Sequence, residues 1–137
     1  MSSPFSSLLL GEDLSLMIAE NAYFIAALEK RPIVLGHVLI ISKQAEDDLF
    51  DLDDASLTSM LLFAKPITKA MKKLFPCKKV GIAVLGLETR HAHVHLVPLN
   101  SAEDLNFTRA KLAPDPKALI TFAEELKALC LIKHSAL

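Results

Sequence analysis

The 137-residue sequence has no tryptophan, one tyrosine, four glycines and two cysteines. Cys77 and Cys130 stand far apart with no metal-ligand spacing, and read as reduced thiols rather than a disulfide framework. No apolar run approaches the roughly 18 residues of a membrane span. The amino terminus, Met1-Ser2-Ser3-Pro4-Phe5, carries no basic segment ahead of an apolar stretch, and Leu8-Leu9-Leu10 is too short for a secretory core. No membrane association is expected, and the cytoplasm is the expected location. An excess of charge of one sign is also missing: 15 basic residues face 16 acidic ones, for a net charge of −1. Without a basic block there is no electrostatic footprint for nucleic acid, so an anionic ligand must be small and held locally. Repeats, low-complexity tracts and linkers are absent, and the length suits a single domain over residues 1–137.

What the sequence does have is apolar content. Hydrophobic residues make up 52% and charged ones 23%, which fits a globular chain and excludes a disordered one. The mean hydropathy of +0.38 is high for a small soluble monomer. It calls for an unusually rich core or an apolar face covered by a partner subunit, and the second reading is preferred.

Phe5–Leu10 reads as a short apolar turn closing at Gly11. Leu16–Ala19 and Tyr23–Leu28, separated by Glu20-Asn21, read as a hairpin with a polar turn. After a turn from Pro32 to Gly36, His37–Ser42 is β-branched and continuously apolar, as in a strand covered on both faces. From Asp53 to Phe75 the period changes. Leu57, Met60, Leu61, Ala64, Ile67, Met71, Leu74 and Phe75 recur at three- and four-residue steps, which predicts one helix face with Asp53 as N-cap and Lys72 and Lys73 at its end. Pro66 should kink this helix or split it. Val80–Leu85 and His91–Leu99 predict two strands joined across Gly86, and Asp115-Pro116 opens a last helix with Leu119, Ile120, Phe122, Ala123, Leu126, Leu129 and Cys130 inward. The order predicts an α+β domain: a mostly antiparallel five-stranded sheet with two main helices.

Three of the five histidines fall within His91-Ala92-His93-Val94-His95. Alternate residues of a strand share a face, so the three imidazoles share one side, roughly 6.5–7 Å apart, opposite Ala92, Val94 and Leu96. Packing does not require such a row. Rings this close depress one another's basicity, so at least one is expected to be neutral near pH 7. That is the state needed both for nucleophilic attack and for metal binding. A metal site on this strand would recruit a further ligand such as Glu88 or His37.

The motif His91-Ala92-His93-Val94-His95-Leu96-Val97 resembles that of the histidine-triad (HIT) family, in which three histidines alternate with apolar residues. Phe5 with Gly11-Glu12, Pro32 followed by Gly36-His37-Val38-Leu39, and Gly86 are similar to the family's amino-terminal segment, its proline-then-glycine-histidine strand entry and its phosphate-loop glycine. The resemblance implies a HIT-like fold, a homodimer, no cofactor, and a purine nucleotide or nucleotide conjugate as ligand. It assigns His93 as the nucleophile that becomes transiently phosphorylated, His95 as donor to a phosphoryl oxygen, His91 as orienting group and His37 as support behind the row. Glu29, where the family usually has Asp, would hold the ribose hydroxyls. Leu28, Lys30 and Leu39, with Phe5 and Leu8 or Leu9, would surround the base, and Gly86 and Glu88 would lie at the phosphates. The activity implied is hydrolysis or transfer on nucleoside 5′-phosphoramidates or similar conjugates, with dinucleoside polyphosphate hydrolysis as a related reading.

The chain also departs from the family pattern. Gly86 is followed by Leu87-Glu88-Thr89-Arg90, where Gln and a small polar residue are usual. A Glu88 carboxylate pointing inward would repel phosphate, and strand parity puts Arg90 on the face away from the histidines. Val80 stands at the position of a frequent asparagine. The Leu87, Glu88 and Thr89 changes keep open a nucleotide-binding module with little turnover, and the alternating histidines keep open a metal-binding strand site. His134, near the end of the chain, is expected to be solvated rather than functional.

Overall fold

The computed structural model describes residues 4–135, and side chains over 4–131; the side chain of His134 lies outside the described residues. Five strands form one sheet: β1 Met17–Glu20, β2 Phe24–Leu28, β3 Val38–Ser42, β4 Lys79–Ala83 and β5 His93–Leu99. Their order is β1-β2-β3-β5-β4, and every neighbouring pair is antiparallel. The helices are α1 Ser6–Leu9, α2 Asp54–Leu74 and α3 Pro116–Ser135, with 3-10 turns at Leu49–Asp51 and Ala102–Leu105. The α+β architecture and its two long helices are as the pattern predicts.

The pleat separates two faces. Ala26, Ile40 and Val94 are cross-strand partners on one face, as are Leu28, Val38 and Leu96. This face makes the main core with Met60, Ala64, Ile67 and Met71 of α2 and Leu119 and Leu126 of α3. On the other face Ala27 pairs Leu39, which pairs His95, while Ile25 pairs Ile41, which pairs His93. Neither helix covers that side. Ala27, Leu39 and Ile41 instead form a smaller cluster under Phe5, Leu8 and Leu9. The continuous burial of β2 and β3 follows from this double cover.

Several boundaries differ from the sequence reading. Asn21 Oδ1 accepts from the amides of Tyr23 and Phe24 at 2.9 and 2.8 Å, so a side-chain turn holds Tyr23 out of β2. Pro66 does not split α2. The carbonyl it leaves without a partner belongs to Leu62, whose 73% exposure puts that turn at the solvent face, where water can take over. Leu61, assigned inward, is 63% exposed, and Ala70 occupies the core face instead; Ile120 of α3 is likewise exposed. The β4 strand ends at Ala83 and β5 begins at His93, so an irregular loop, not Gly86 alone, joins them. Both helix starts are as expected: Asp53 Oδ1 accepts from Ser56 N–H at 2.8 Å, and Asp115 Oδ1 from Lys117 N–H at 3.1 Å.

Gly36 shows why this turn needs its glycine. Its φ is +96°, and a Cβ there would stand 2.7 Å from the Phe75 ring. The Phe75 ring, just past the end of α2, meets Phe122 of α3 edge-on at 5.1 Å, so it is fixed from both sides. His37 N–H closes the turn onto Val34 C=O at 3.1 Å, delivering His37 to the mouth of β3. Glu29 N–H donates to His37 C=O at 2.9 Å, which places Glu29 opposite His37 across the β2–β3 pair.

Candidate active site

The histidine row is continuous, although His91 stands outside the strand. Ala92 is tied by Ser42 N–H to its carbonyl at 3.1 Å and by its own N–H to Glu46 C=O at 2.7 Å, which bends the chain before β5 starts. His91 Nε2 lies 2.7 Å from Ser42 C=O, and the Phe5 ring meets both His91, at 5.8 Å, and His93, at 5.1 Å. His91 therefore remains on the side of His93, held by side-chain contacts rather than strand parity. The rings of His93 and His95 stand 4.8 Å apart, edge to face.

Hydrogen bonds assign the tautomers. His93 Nδ1 sits 2.6 Å from His91 C=O. A carbonyl only accepts, so Nδ1 carries the proton and Nε2 the lone pair. Ile33 N–H donates to His37 Nδ1 at 3.5 Å, which leaves the His37 proton on Nε2. That nitrogen is 2.9 Å from His95 Nδ1. His95 Nδ1 is thereby the acceptor, and its Nε2 carries a hydrogen. Among the described residues no buried side-chain N or O lacks a partner. Since Nε2 of His93 and of His95 makes no internal hydrogen bond, each must reach open space. One site thus holds a lone pair and an N–H on adjacent rings.

Three of the rings, His37, His93 and His95, are held neutral. Burial pushes His37 down to about 3, helped by the charges of His95, Lys111 and His93. Burial also pushes His95 down to about 4, with His93 and Lys111 adding to the effect. His93 is lowered chiefly by burial and by His91, against the opposing pull of its hydrogen bond to the His91 carbonyl and of Glu29. Desolvation and mutual repulsion act in the same direction, as expected for clustered imidazoles.

His93 is only 6% exposed, yet it lines a cleft of about 650 Å³. Phe5, Leu8, Leu28, Glu29, Lys30, Leu39, Gly86, Glu88 and His95 line the same cleft, so the structure brings together most of the residues singled out from sequence. His37 and His91 are not on its wall; they stand behind His95 and His93. Leu9 packs against Ala27, Leu39 and Ile41 instead of lining the cleft. Among the wall residues that escaped the sequence reading are Phe107, Thr108 and Lys111. Phe107 meets His95 edge-on at 4.7 Å and His37 at 5.9 Å. The irregular segment that carries them has no period to betray it; the Asn106-Phe107-Thr108 turn, with Asn106 Oδ1 accepting from Thr108, was the one local signal.

Gly86, at φ +71°, divides the cleft from a second recess of about 430 Å³ that also reaches His93. Among the described residues the amides of Leu87, Glu88 and Thr89 donate to no acceptor. Glu88 does line the cleft. Arg90 does not, because Asp47 holds it at 2.7 Å on the rim of the second recess. Residue 90 lies outside β5, so this ion pair, not strand parity, sets its direction. Val80 packs against the core on the opposite sheet face and supplies nothing to the site.

Among the described residues no group of three or more His, Cys, Asp or Glu side chains is placed to hold a metal ion. Cys77 and Cys130 are free and half-buried. No helix among the described residues is long and apolar enough to cross a membrane.

The HIT domain family model matches residues 11–102. Adenosine 5′-monophosphoramidase HNT1 of Saccharomyces cerevisiae is 33% identical over 95 residues, covering 69% of this chain and 60% of that protein. The asymmetrical bis(5′-nucleosyl)-tetraphosphatase of Schizosaccharomyces pombe is 30% identical over 78 residues, covering 53% of this chain and 43% of that one. A zinc-bound histidine triad family protein from Mycobacterium smegmatis superposes with a TM-score of 0.81 at 25% identity, covering 100% of this chain and 99% of its own. The matched domain contains both the Gly36-His37 turn and the histidine row, and the chain belongs to the HIT family.

Proposed function

We propose that the protein is a hydrolase or transferase of nucleoside 5′-phosphoramidates and related mononucleotide conjugates, acting through a phosphohistidine at His93. The observation that carries this reading is the unbonded His93 Nε2, open to the cleft beside the His95 Nε2–H. The lone pair attacks the α-phosphorus, and the bond from phosphorus to the departing nitrogen breaks as that nitrogen takes a proton from solvent. His95 donates to a phosphoryl oxygen while negative charge builds there, a contribution of about 3–4 kcal/mol for a well-aimed donor. Water then attacks the phosphohistidine, releases the nucleoside monophosphate, gives its proton to solvent and restores the lone pair.

The apolar cluster of Ala27, Leu39 and Ile41 with Phe5 and Leu8 suits the base, with Lys30 beside it, while the Leu28 side chain belongs to the core on the other sheet face; Glu29 suits the ribose hydroxyls. The free amides after Gly86 suit phosphate oxygens. The yeast phosphoramidase among the relatives favours a mononucleotide conjugate. The tetraphosphatase keeps dinucleoside polyphosphates as the second reading. A cytoplasmic homodimer completes the proposal: β4 is an edge strand, and Ile82, Val84 and Leu85 on and beside it are exposed. Sedimentation of the purified protein checks the dimer.

Incubation with adenosine 5′-phosphoramidate tests the chemistry. Wild type releases AMP, and His93→Ala does not while still binding AMP. Equal release by both proteins excludes His93 as nucleophile; AMP binding without release by wild type makes the protein a binding module.

A further inference from the structure

Beyond the histidines and the nucleoside wall, the cleft contains a cation with no assigned partner. The segment from Asn106 to Leu112 is anchored along its length. Asn106 Oδ1 accepts from Thr108, Arg109 Nη1 donates to Glu103 C=O at 3.1 Å, Leu112 N–H donates to Pro32 C=O at 2.8 Å, and Arg31 Nε donates to Leu112 C=O at 2.8 Å. Phe107 braces it against His95 and His37. The backbone that carries Lys111 is therefore fixed beside the cleft, even though the lysine itself is exposed.

The other cations near the cleft have different tasks. Arg31 Nε donates to Leu112 C=O, Arg90 is held by Asp47, and Lys30, which like Lys111 makes no ion pair among the described residues, adds to the lowering of the Asp13 carboxyl. Lys111 makes no ion pair among the described residues. Its charge is felt at His95 and His37, whereas Glu29 is the wall residue whose charge is felt at His93. The two charges thus act at different rings of the row: Glu29 at His93, the proposed nucleophile, and Lys111 at His95, the proposed donor to a phosphoryl oxygen. With Glu29 and Glu88 both on the wall, a substrate bearing further negative charge meets repulsion unless a cation faces it.

We propose that Lys111 recognises negative charge beyond the α-phosphate, so that the protein prefers conjugates whose departing half carries a phosphate, sulfate or carboxylate over those releasing ammonia. The proposal rests on the hydrolase reading for the word "departing", but the contact itself is tested by binding. Calorimetry on His93→Ala, which cannot turn over, compares adenosine, AMP and ADP with the same ligands on His93→Ala/Lys111→Met. The ADP affinity falls about five- to tenfold more than the AMP affinity, the size of one partly exposed charge-assisted contact. Lys111→Arg keeps the preference, and an unchanged thermal melt shows that the fold is intact. Equal losses for AMP and ADP place Lys111 at the α-phosphate, a loss for adenosine places it at the nucleoside, and no loss leaves it in solvent; each overturns the proposal.

In wild type, the ratio of kcat/KM for an amidate of aspartate to that for the ammonia-releasing amidate also falls on Lys111→Met, which separates a carboxylate from a phosphate as the group read. A wild type that releases no AMP from any conjugate defeats the hydrolase reading, while the ADP-to-AMP affinity ratio still decides the role of Lys111.

Discussion

His37 Nε2 and His95 Nδ1 lie 2.9 Å apart, in a bond that joins the turn before β3 to the histidine face of β5. Its chemical content is a tautomer. With Ile33 N–H supplying His37 Nδ1, the bond keeps the His95 hydrogen on the nitrogen that faces the cleft. Replacing His37 by Phe fills the space but leaves His95 Nδ1 without a donor, so part of the population carries its hydrogen on the wrong nitrogen. We expect His37→Phe to lower kcat about tenfold with little change in KM, a loss of about 1.4 kcal/mol in transition-state stabilisation. His37→Gln, whose amide can donate to the same nitrogen, recovers part of it. Steady-state kinetics on the two variants, with melts to check the fold, decides the point. An equal loss in both reduces His37 to a packing residue.

The neutral row sets the pH dependence. An ordinary histidine titrates near 6.5, but His95 is pushed down to about 4 and His93 is lowered as well. Protonating His93 removes its lone pair. The acid limb of kcat/KM should therefore lie below that of an ordinary histidine, with more activity kept at pH 6 than a group titrating at 6.5 would leave. A limb centred at 6.5 or above would show that the site is wetter than its packing implies.

The same burial makes stability depend on pH with a definite sign. His37 binds its proton at about pH 3 in the fold and near 6.5 when unfolded. Between those values the unfolded chain holds more protons, so folding stability rises with pH. The His37 contribution is complete above about pH 6.5 and is lost as pH falls toward 3. Denaturant titrations at pH 7.5 and 4.5 should show a smaller drop for His37→Gln than for wild type. Parallel drops would mean that other groups carry the acid sensitivity.

Much of this was legible in the sequence because it depends on period. The alternation of Val94 and Leu96 with His93 and His95 fixes the two faces of β5, and the three- and four-residue steps in α2 fix its inward side. Local side-chain turns and long-range backbone tethers carry no period, and they produced two of the boundary errors: Asn21 moved the start of β2, and the backbone bonds of Ala92 to Ser42 and Glu46 moved the start of β5. His91 kept its place for a reason invisible to strand parity, the Ser42 carbonyl. Phe107 and Lys111 reach the site from an aperiodic segment whose position is set by contacts with Pro32 and Arg31, far away in sequence.

Gly36 offers a test of how the site is framed. Alanine there must adopt φ near +96° and place its Cβ 2.7 Å from a ring pinned between Gly36 and Phe122. Backbone strain costs about 1–3 kcal/mol, and overpacking adds about 1–3 kcal/mol. Gly36→Ala should lose roughly 2–6 kcal/mol in urea titrations on those combined grounds. Gly11→Ala, also at positive φ (+76°) but with nothing within 4 Å, should lose only the strain. A similar loss in both variants would assign no role to the Phe75 contact.

The loop carboxylate makes the last prediction. Glu88 lines the cleft on the loop that follows Gly86, and the nearby arginine, Arg90, is held by Asp47 at 2.7 Å. An anion bound at the free amides of Leu87–Thr89 therefore shares its space with a carboxylate. Glu88 is exposed, so water screens the repulsion to about 0.5–1 kcal/mol, the range of single charge interactions at a surface. Glu88→Gln should tighten AMP binding about two- to fivefold at low ionic strength, leave adenosine affinity unchanged, and lose its advantage in high salt. The adenosine control matters because it removes the phosphate and keeps the nucleoside. Equal gains for AMP and adenosine would place Glu88 against the base or ribose, and no gain at low salt would mean that the bound phosphate lies out of reach of the loop.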